Sequence, residues 1–258
     1  MAFRYQEVWL NDVALSAVHP AVLIQHIQEN PPRMTQKTAA RNGSGQWLTS
    51  NRIESREIVV SFAIREGIDF MKRAAACSAV AEWAVNGGKL ILSDRPGQQI
   101  HVACTAVPAV GKLREWTNEL TVTFTAYDWP YWMEQIPSTV SGTNMTSGTL
   151  TLPVTGTVPA VLEAEITPAS AALTSLTLTG DNGDSIALTS LNVAAESTLK
   201  LWYDDLHLLH ITNGTTALLN KRTAASADDI RLKPGLRTIT VAASTASTVK
   251  LMARGVYV

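Results

Sequence analysis

Few residues in this chain have the types and spacing to do chemistry. His207 and His210 stand three apart, a spacing that serves a metal ion on a helix, where residues three apart share a face. Their neighbours Leu206, Leu208, Leu209 and Ile211 carry no helical cap and read as a strand, on which positions three apart face opposite ways. No metal site is assigned, since zinc would also need further convergent ligands. Asp181 and Asp184 flank Asn182 and Gly183, but a calcium loop needs alternating oxygen ligands and a distal bidentate Glu. That tetrad reads as a hairpin turn. Trp202, Tyr203, Asp204 and Asp205 form the one cluster with the makeup of a carbohydrate contact. Aromatic faces pack on pyranose rings, and carboxylates accept hydrogen bonds from sugar hydroxyls. The plainer reading of the same four residues is a strand end with aromatic packing.

No nucleophile elbow, Walker loop, dinucleotide fingerprint or paired-histidine zinc helix occurs, so no catalytic residue, cofactor-binding residue or cofactor is assigned. A glycosidase-type pair of carboxylates brought together by folding would leave no local signature. Cys77 and Cys104 are too few for a disulfide framework and read as buried free thiols. The 21 basic side chains are matched by 22 acidic ones, giving a formal charge of −1 without a basic stripe, which argues against sequence-specific nucleic-acid binding. No apolar run is long enough to span a bilayer, and residues 1–10 carry Arg4 and Glu7 where a signal peptide would be apolar. No membrane insertion is expected, and folding in a cytoplasm is.

The elements that would position these residues are mostly strands. At 258 residues, 46% hydrophobic and 17% charged, the chain fits a globular protein of one large or two ordinary β domains. Residues 5–10 and 22–28 read as short strands joined by a turn-prone segment with Asn11, Asp12 and Pro20. Residues 30–50 are polar, with Pro31, Pro32, Gly43 and Gly45, and read as a long loop of the kind that reaches a partner. Ile58, Val60, Phe62 and Ile64 alternate with Glu57, Val59, Ser61 and Ala63 as a strand. Phe70, Ala74, Cys77, Ala81 and Ala84 lie on one stripe of a helix that Asn86-Gly87-Gly88 ends. Asp94-Arg95-Pro96-Gly97 predicts a type II turn between hairpin strands at 89–92 and 100–107, and Leu120, Val122, Phe124 and Ala126 mark another strand.

From Ile136 to Thr149 the chain becomes rich in Ser, Thr and Gly, which predicts a linker over 135–148 between an N-terminal domain, 1–134, and a C-terminal domain, 149–258. The second half offers strands at 161–167, 173–179, 199–202 and 206–212, spaced as in an antiparallel sandwich. Asn182-Gly183 predicts a type I′ hairpin and Pro234-Gly235 a type II turn.

The run Phe124-Thr125-Ala126-Tyr127-Asp128-Trp129-Pro130-Tyr131-Trp132 resembles the end of the first domain in phage distal tail proteins, where a strand runs into an acidic residue, a proline and an aromatic pair. It is joined in similar order by Trp9-Leu10-Asn11-Asp12, by the polar segment before the strand at 56–64, and by a helix followed by a hairpin. Leu232-Lys233-Pro234-Gly235-Leu236-Arg237-Thr238-Ile239-Thr240-Val241 is similar to the turn and strand near the end of such proteins. Trp129 separates Asp128 from Pro130, where that family often joins acid and proline directly.

The resemblance implies a mainly β protein with an N-terminal β-sandwich or split-barrel-like ring domain carrying one helix, and a C-terminal galectin-like antiparallel β-sandwich that projects outward. It also implies a non-enzymatic virion protein in the tail, assembled in the bacterial host cytoplasm. In that setting the chain would form a hexameric homo-oligomer and join the tail-tube protein to baseplate or tail-tip proteins. The alternative is a carbohydrate-binding adhesin module that meets a host surface glycan through Trp202, Tyr203, Asp204 and Asp205. A cell-wall hydrolase would need a carboxylate dyad that the sequence does not display.

Overall fold

The computed structural model describes residues 6–40, 46–65, 70–108, 120–204 and 207–258. The chain divides into two compact units, Met1–Trp132 and Met133–Val258, and both are mainly β.

Unit 1 opens with β1 (Val8–Leu10) and β2 (Val13–Ala14), which pair with Leu10 opposite Val13. Asn11 and Asp12 between them both take positive φ, 50° and 66°, as the two central residues of a type I′ turn must. A four-residue helix, α1 (Leu15–Val18), follows; the sequence reading had given this unit a single helix. Next come β3 (Val22–Glu29), β4 (Arg33–Ala40) and β5 (Gln46–Ile64), then α2 (Phe70–Ala84), β6 (Gly88–Leu92), β7 (Gln98–Ala106) and β8 (Leu120–Ala126). The sheet runs β2-β1-β6-β7-β8-β5-β3, with β4 paired to β5.

Alternation along β5 puts Ile58, Val60 and Phe62 at 0% exposure and Ile64 at 5%, as the spacing predicts. Ala76, Cys77, Val80 and Ala84 of α2 are buried, so the buried stripe keeps two of the anticipated positions and is rotated toward Val80. Trp83 meets Phe124 edge-on at 5.9 Å, and its Nε1 donates to Val13 O at 3.1 Å. Gly87 and Gly88 end the helix with φ of 60° and 125°. A Cβ on Gly87 would lie 2.3 Å from Val102 O, so glycine is needed for the sheet to approach this closely. Gln98 N donates to Arg95 O at 3.1 Å across Pro96 and Gly97, whose φ is 77°, the expected turn.

The segment expected as a long loop at 30–50 is instead largely a ribbon. β4 pairs antiparallel with the first half of β5, from Arg33 opposite Ser55 to Ala40 opposite Gln46, with two register shifts. Its polar composition hid the strands because Arg33, Met34, Gln36, Lys37, Thr38 and Ala39 are all exposed. Without a buried face, apolar alternation has no reason to appear.

Unit 2 begins with the last residues of β9 (Trp132–Glu134), then β10 (Ser138–Val154), β11 (Ala160–Pro168), β12 (Leu176–Thr179), β13 (Ser185–Leu188), β14 (Leu199–Tyr203), β15 (Leu209–Asn213), β16 (Thr216–Ala217), β17 (Arg231–Leu232), β18 (Gly235–Ala253) and β19 (Val256–Tyr257). The sheet order is β13-β12-β18-β11-β14-β15-β16, with β10 on β18 and β17 on β11. β18 is its spine. Its first part lies between β10 and β12, and its last part between β10 and β11. The change of neighbour falls near register shifts between Gly142 and Ser147, where bulges let long strands turn from one sheet half to the other. Leu152, Ile166, Leu178, Ile239, Val241, Val249 and Leu251 fill the core.

Residues 138–148, expected to be a linker, are therefore the first part of β10. Ser, Thr and Gly there mark an edge strand that buries little, and its bulges blunt the edge. The Asn182-Gly183 turn is also not type I′. Gly183 has φ of 88° but Asn182 does not take positive φ, and the closing bond runs from Gly183 N to Gly180 O at 3.0 Å. Asn182 spends its amide on the loop instead, donating to Arg231 O at 3.2 Å and accepting from Asp184 N at 3.1 Å. Gly235 has φ of 114° as expected.

Candidate functional site

Two places stand out chemically, one in each unit. In unit 1, Arg56 occupies the inward phase of β5, in step with Ile58, Val60 and Phe62, and is only 3% exposed. A guanidinium buried there needs an anion. Glu29, at the end of β3, supplies it by accepting from Arg56 Nη1. Glu29 also accepts from Arg95 Nε at 2.8 Å and Nη2 at 2.9 Å, and from Trp132 Nε1 at 3.0 Å. Arg56 Nε donates to Pro130 O at 3.2 Å, and the Arg95 guanidinium lies 4.9 Å from the Trp132 ring centre. Burial lowers the Arg56 pKa, with Glu29 pulling the other way. The group stays charged, as arginine does in proteins.

This clamp explains the aromatic motif at the end of unit 1. Trp132 is fully buried, Pro130 is held through its carbonyl, and Trp129 packs edge-on against Tyr131 at 5.1 Å. Sequence reasoning passed over Glu29, Arg56 and Arg95. A charged residue in the apolar phase of a strong strand was the available signal.

In unit 2, the cluster proposed for carbohydrate contact is split by the pleat of β14. Trp202 pairs across to His210 and Tyr203 to Leu209. Trp202 is 40% exposed, and its ring stacks on the His210 imidazole at 4.5 Å and 18°. His210 Nε2 meets Asp204 Oδ2 at 2.9 Å, and Asp204 Oδ1 accepts from Leu208 N at 2.9 Å. Asp204 thus braces the imidazole. Tyr203 points the other way, and its pKa is raised by burial, then by Asp229 and Glu163. Asp205 lies outside the described residues. His207 is not on a strand: it takes φ of 57° in a turn closed by His207 N donating to Asp204 O at 2.9 Å. Among the described residues no three His, Cys, Asp or Glu side chains converge as a metal site.

A cavity of about 540 Å³ has a wall that includes Tyr203, His210, Leu219, Arg222, Asp228 and Asp229 but not Trp202. Arg222 Nη2 donates to Asp228 Oδ1 at 2.8 Å, and Arg231 Nε to Asp229 Oδ2 at 3.0 Å. Both cysteines are free thiols, but only Cys77 is buried as expected; Cys104, on a strand with exposed neighbours, is half-buried. Burial raises the thiol pKa of Cys77 and of Cys104, which disfavours the reactive thiolate.

No family model matches the sequence, and no curated protein matches it by sequence. Solved structures do share its fold. The crystal structure of the Dit protein of phage SPP1, described as a paradigm of the hub adsorption apparatus in phages infecting Gram-positive bacteria, superposes with a TM-score of 0.71 at 14% identity, covering 97% of this chain and 99% of that one. Two structures of the phage p2 baseplate in its activated conformation, with strontium and with calcium, give TM-scores of 0.53 and 0.54 at 9% identity. They cover 96% and 98% of this chain and 97% and 98% of those chains.

Proposed function

We propose that the chain is a structural, non-enzymatic hub of a long non-contractile phage tail: a closed ring, six copies by resemblance, that joins the tail tube to baseplate or tip proteins. The observation that carries this reading is the end-to-end likeness to the SPP1 Dit protein, which takes in both units with almost nothing left over on either chain. A second observation supports assembly. Among the described residues, residues 46–55 of β5 pair with β4 alone, and β4 with β5 alone. A two-stranded ribbon standing alone in water is marginal at best, and its two free edges are templates for a further strand. A neighbouring copy is a natural source of that support, and one patch meeting a different patch on the next copy closes a ring when the rotation per copy divides a full turn.

In this role the protein belongs to the virion tail and assembles in the bacterial cytoplasm. Multi-angle light scattering of the full chain across a wide concentration range, alone and with the tail-tube protein of the same phage, tests the proposal. Ring-sized oligomers are expected, and a monomer throughout would sink it.

A further inference from the structure

We infer that unit 2 holds a docking site for an extended peptide with a basic side chain, which adds as a short strand to the open edge of β15. Alternate residues of a strand turn their N–H and C=O to opposite neighbours. β15 pairs with β14 along its whole length, from Leu209 to Asn213, whereas β16 reaches it at Thr212 and Asn213. One further bond on the β16 side runs from Leu218 N to Ile211 O at 2.7 Å. Ile211, and with it Leu209 two residues earlier, therefore has the phase that faces away from β14. Past Leu218 the chain leaves the sheet for a 3-10 helix, Leu219–Lys221, and Leu218 O accepts from Lys221 N at 2.9 Å. Among the described residues, the Leu209 N–H and C=O and the Ile211 N–H have no backbone partner on this edge.

That edge opens into the cavity of unit 2. Residues 208–212 all line it. Consecutive side chains leave a strand on opposite faces, so a space that touches all of them lies along the strand's edge and not over one face. The far wall includes Leu219, Arg222, Asp228 and Asp229, on the chain that has turned away. A row of amide donors and a carbonyl at strand spacing is what another peptide backbone complements, and a cavity of about 540 Å³ has room for a short stretch of chain. Tyr203 stands opposite Leu209 and also lines the cavity. Its hydroxyl is buried without a hydrogen-bond partner in the protein, a state that calls for a water or a ligand group. The wall carries two carboxylates and one guanidinium. Arg222 pairs with Asp228, while Asp229 is paired with Arg231, which is 60% exposed and so held weakly against water. Burial, then Asp229 and Glu163, raises the Tyr203 pKa, the mark of a negative potential at the hydroxyl. An ammonium or guanidinium on the added strand can donate both to Tyr203 Oη and to Asp229. Leu208 and Leu219, 58% and 47% exposed, offer apolar contact to the other side chains.

The test uses the full chain on an array of hexapeptides in which β-branched residues alternate with varied ones, the best binder being titrated by fluorescence anisotropy. Binders should carry Lys or Arg at the varied positions, and Glu in their place should abolish binding. N-methylation of alternate peptide bonds, which removes strand donors, should do the same. Asp229→Asn should weaken binding about tenfold and Tyr203→Phe roughly fivefold. Because Tyr203→Phe deletes an unpartnered hydroxyl, its melting temperature should not fall, which separates lost binding from lost folding. With saturating peptide, hydrogen exchange should slow at the Leu209 and Ile211 amides and stay unchanged at His210, which bonds to β14. Leu236→Ser, at an exposed position elsewhere in the unit, should leave binding unchanged. The site lies within unit 2 and does not rest on the hub reading: a monomer that binds the peptide supports this inference alone, and rings that do not bind it support the hub alone. Absence of any binder, preference for acidic peptides, indifference to N-methylation or to both Tyr203 and Asp229 would overturn the inference. So would slow exchange at Leu209 that appears without peptide as protein concentration rises, since a second copy would then occupy the edge.

Discussion

β5 and β18 are both 19 residues long, yet they are used in opposite ways. β18 has a partner on at least one side along nearly its whole length and alternates buried with exposed residues from Ile239 to Val241 and again from Ser247 to Ala253. Both of these stretches serve the core of its own unit. β5 does this only from Arg56 onward, where β3 and β8 flank it, while residues 46–55 run out with β4 as a ribbon. Equal lengths of strand thus serve two purposes. Where the apolar alternation is present the strand stabilises its own unit, and where it is absent the proposed role of its backbone edges is to receive a neighbouring copy.

The largest effect that sharpens this contrast is a charge placed in the spine. Val249→Asp, at a position with 0% exposure, should cost on the order of 4 kcal/mol through lost packing and an unpaired buried carboxylate. Thr38→Asp on the exposed ribbon strand should stay within about 0.5 kcal/mol. Urea titrations of both variants decide it, and equal losses would erase the distinction between the two strands.

Next comes the anchor at the inner end of β5. Glu29→Gln strips the buried Arg56 guanidinium of its counter-charge and weakens the hold on Arg95 and Trp132. Stability of unit 1 should fall by about 3 kcal/mol, read from the change in Trp fluorescence on denaturation. A neutral result would mean that Pro130 and the aromatic packing hold the exit of unit 1 unaided. Smaller still is Cys77→Ala combined with Cys104→Ser, which should cost about 1 kcal/mol through lost burial and leave oligomers intact in light scattering.

The smallest effect lies on β11, where two glutamates stand two residues apart with opposite shifts. Glu163 has its pKa raised by burial, with Arg254 only partly offsetting it. An acid raised in the folded state costs stability above its unfolded pKa, and that cost disappears below it. Glu163→Gln should therefore raise the melting temperature slightly at pH 7 and have no effect below the ordinary carboxylate range. Glu165 is also penalised by burial, but Lys250 and Lys200 outweigh this and lower its pKa. Its stabilisation is present above the unfolded value and lost as pH falls through the folded one. Glu165→Gln should accordingly lower the melt at pH 7, by a modest amount because its partners are well exposed.

What the sequence made legible follows the same division. The strand at 56–64, the helix and its glycine stop, and the Pro96-Gly97 turn were readable because burial imposes a period and turn geometry imposes residue types. The ribbon was not readable, since Thr, Gln and Lys on an exposed strand look like a loop until the pairing is seen. Residues 138–148 misled for the same reason. Arg56 stood visibly out of character in an apolar phase, but its partner was hidden: Glu29 comes into register only after the bulge between Ile24 and His26. At Trp202 the aromatic type was informative, while the roles of Tyr203 and Asp204 depended on the pleat and on a cross-strand pair with His210.

If the ribbon joins copies, class averages from negative-stain micrographs of the chain with and without it will show the difference. Residues 35–52 would be replaced by Asn-Gly, which closes the hairpin at the pair Met34 and Ile53 without touching the buried half of β5. The full chain should give six-fold rings, and the variant single particles that melt as cooperatively as the parent. Rings that persist without the ribbon, or a full chain that forms none even with its tail-tube protein, would contradict it.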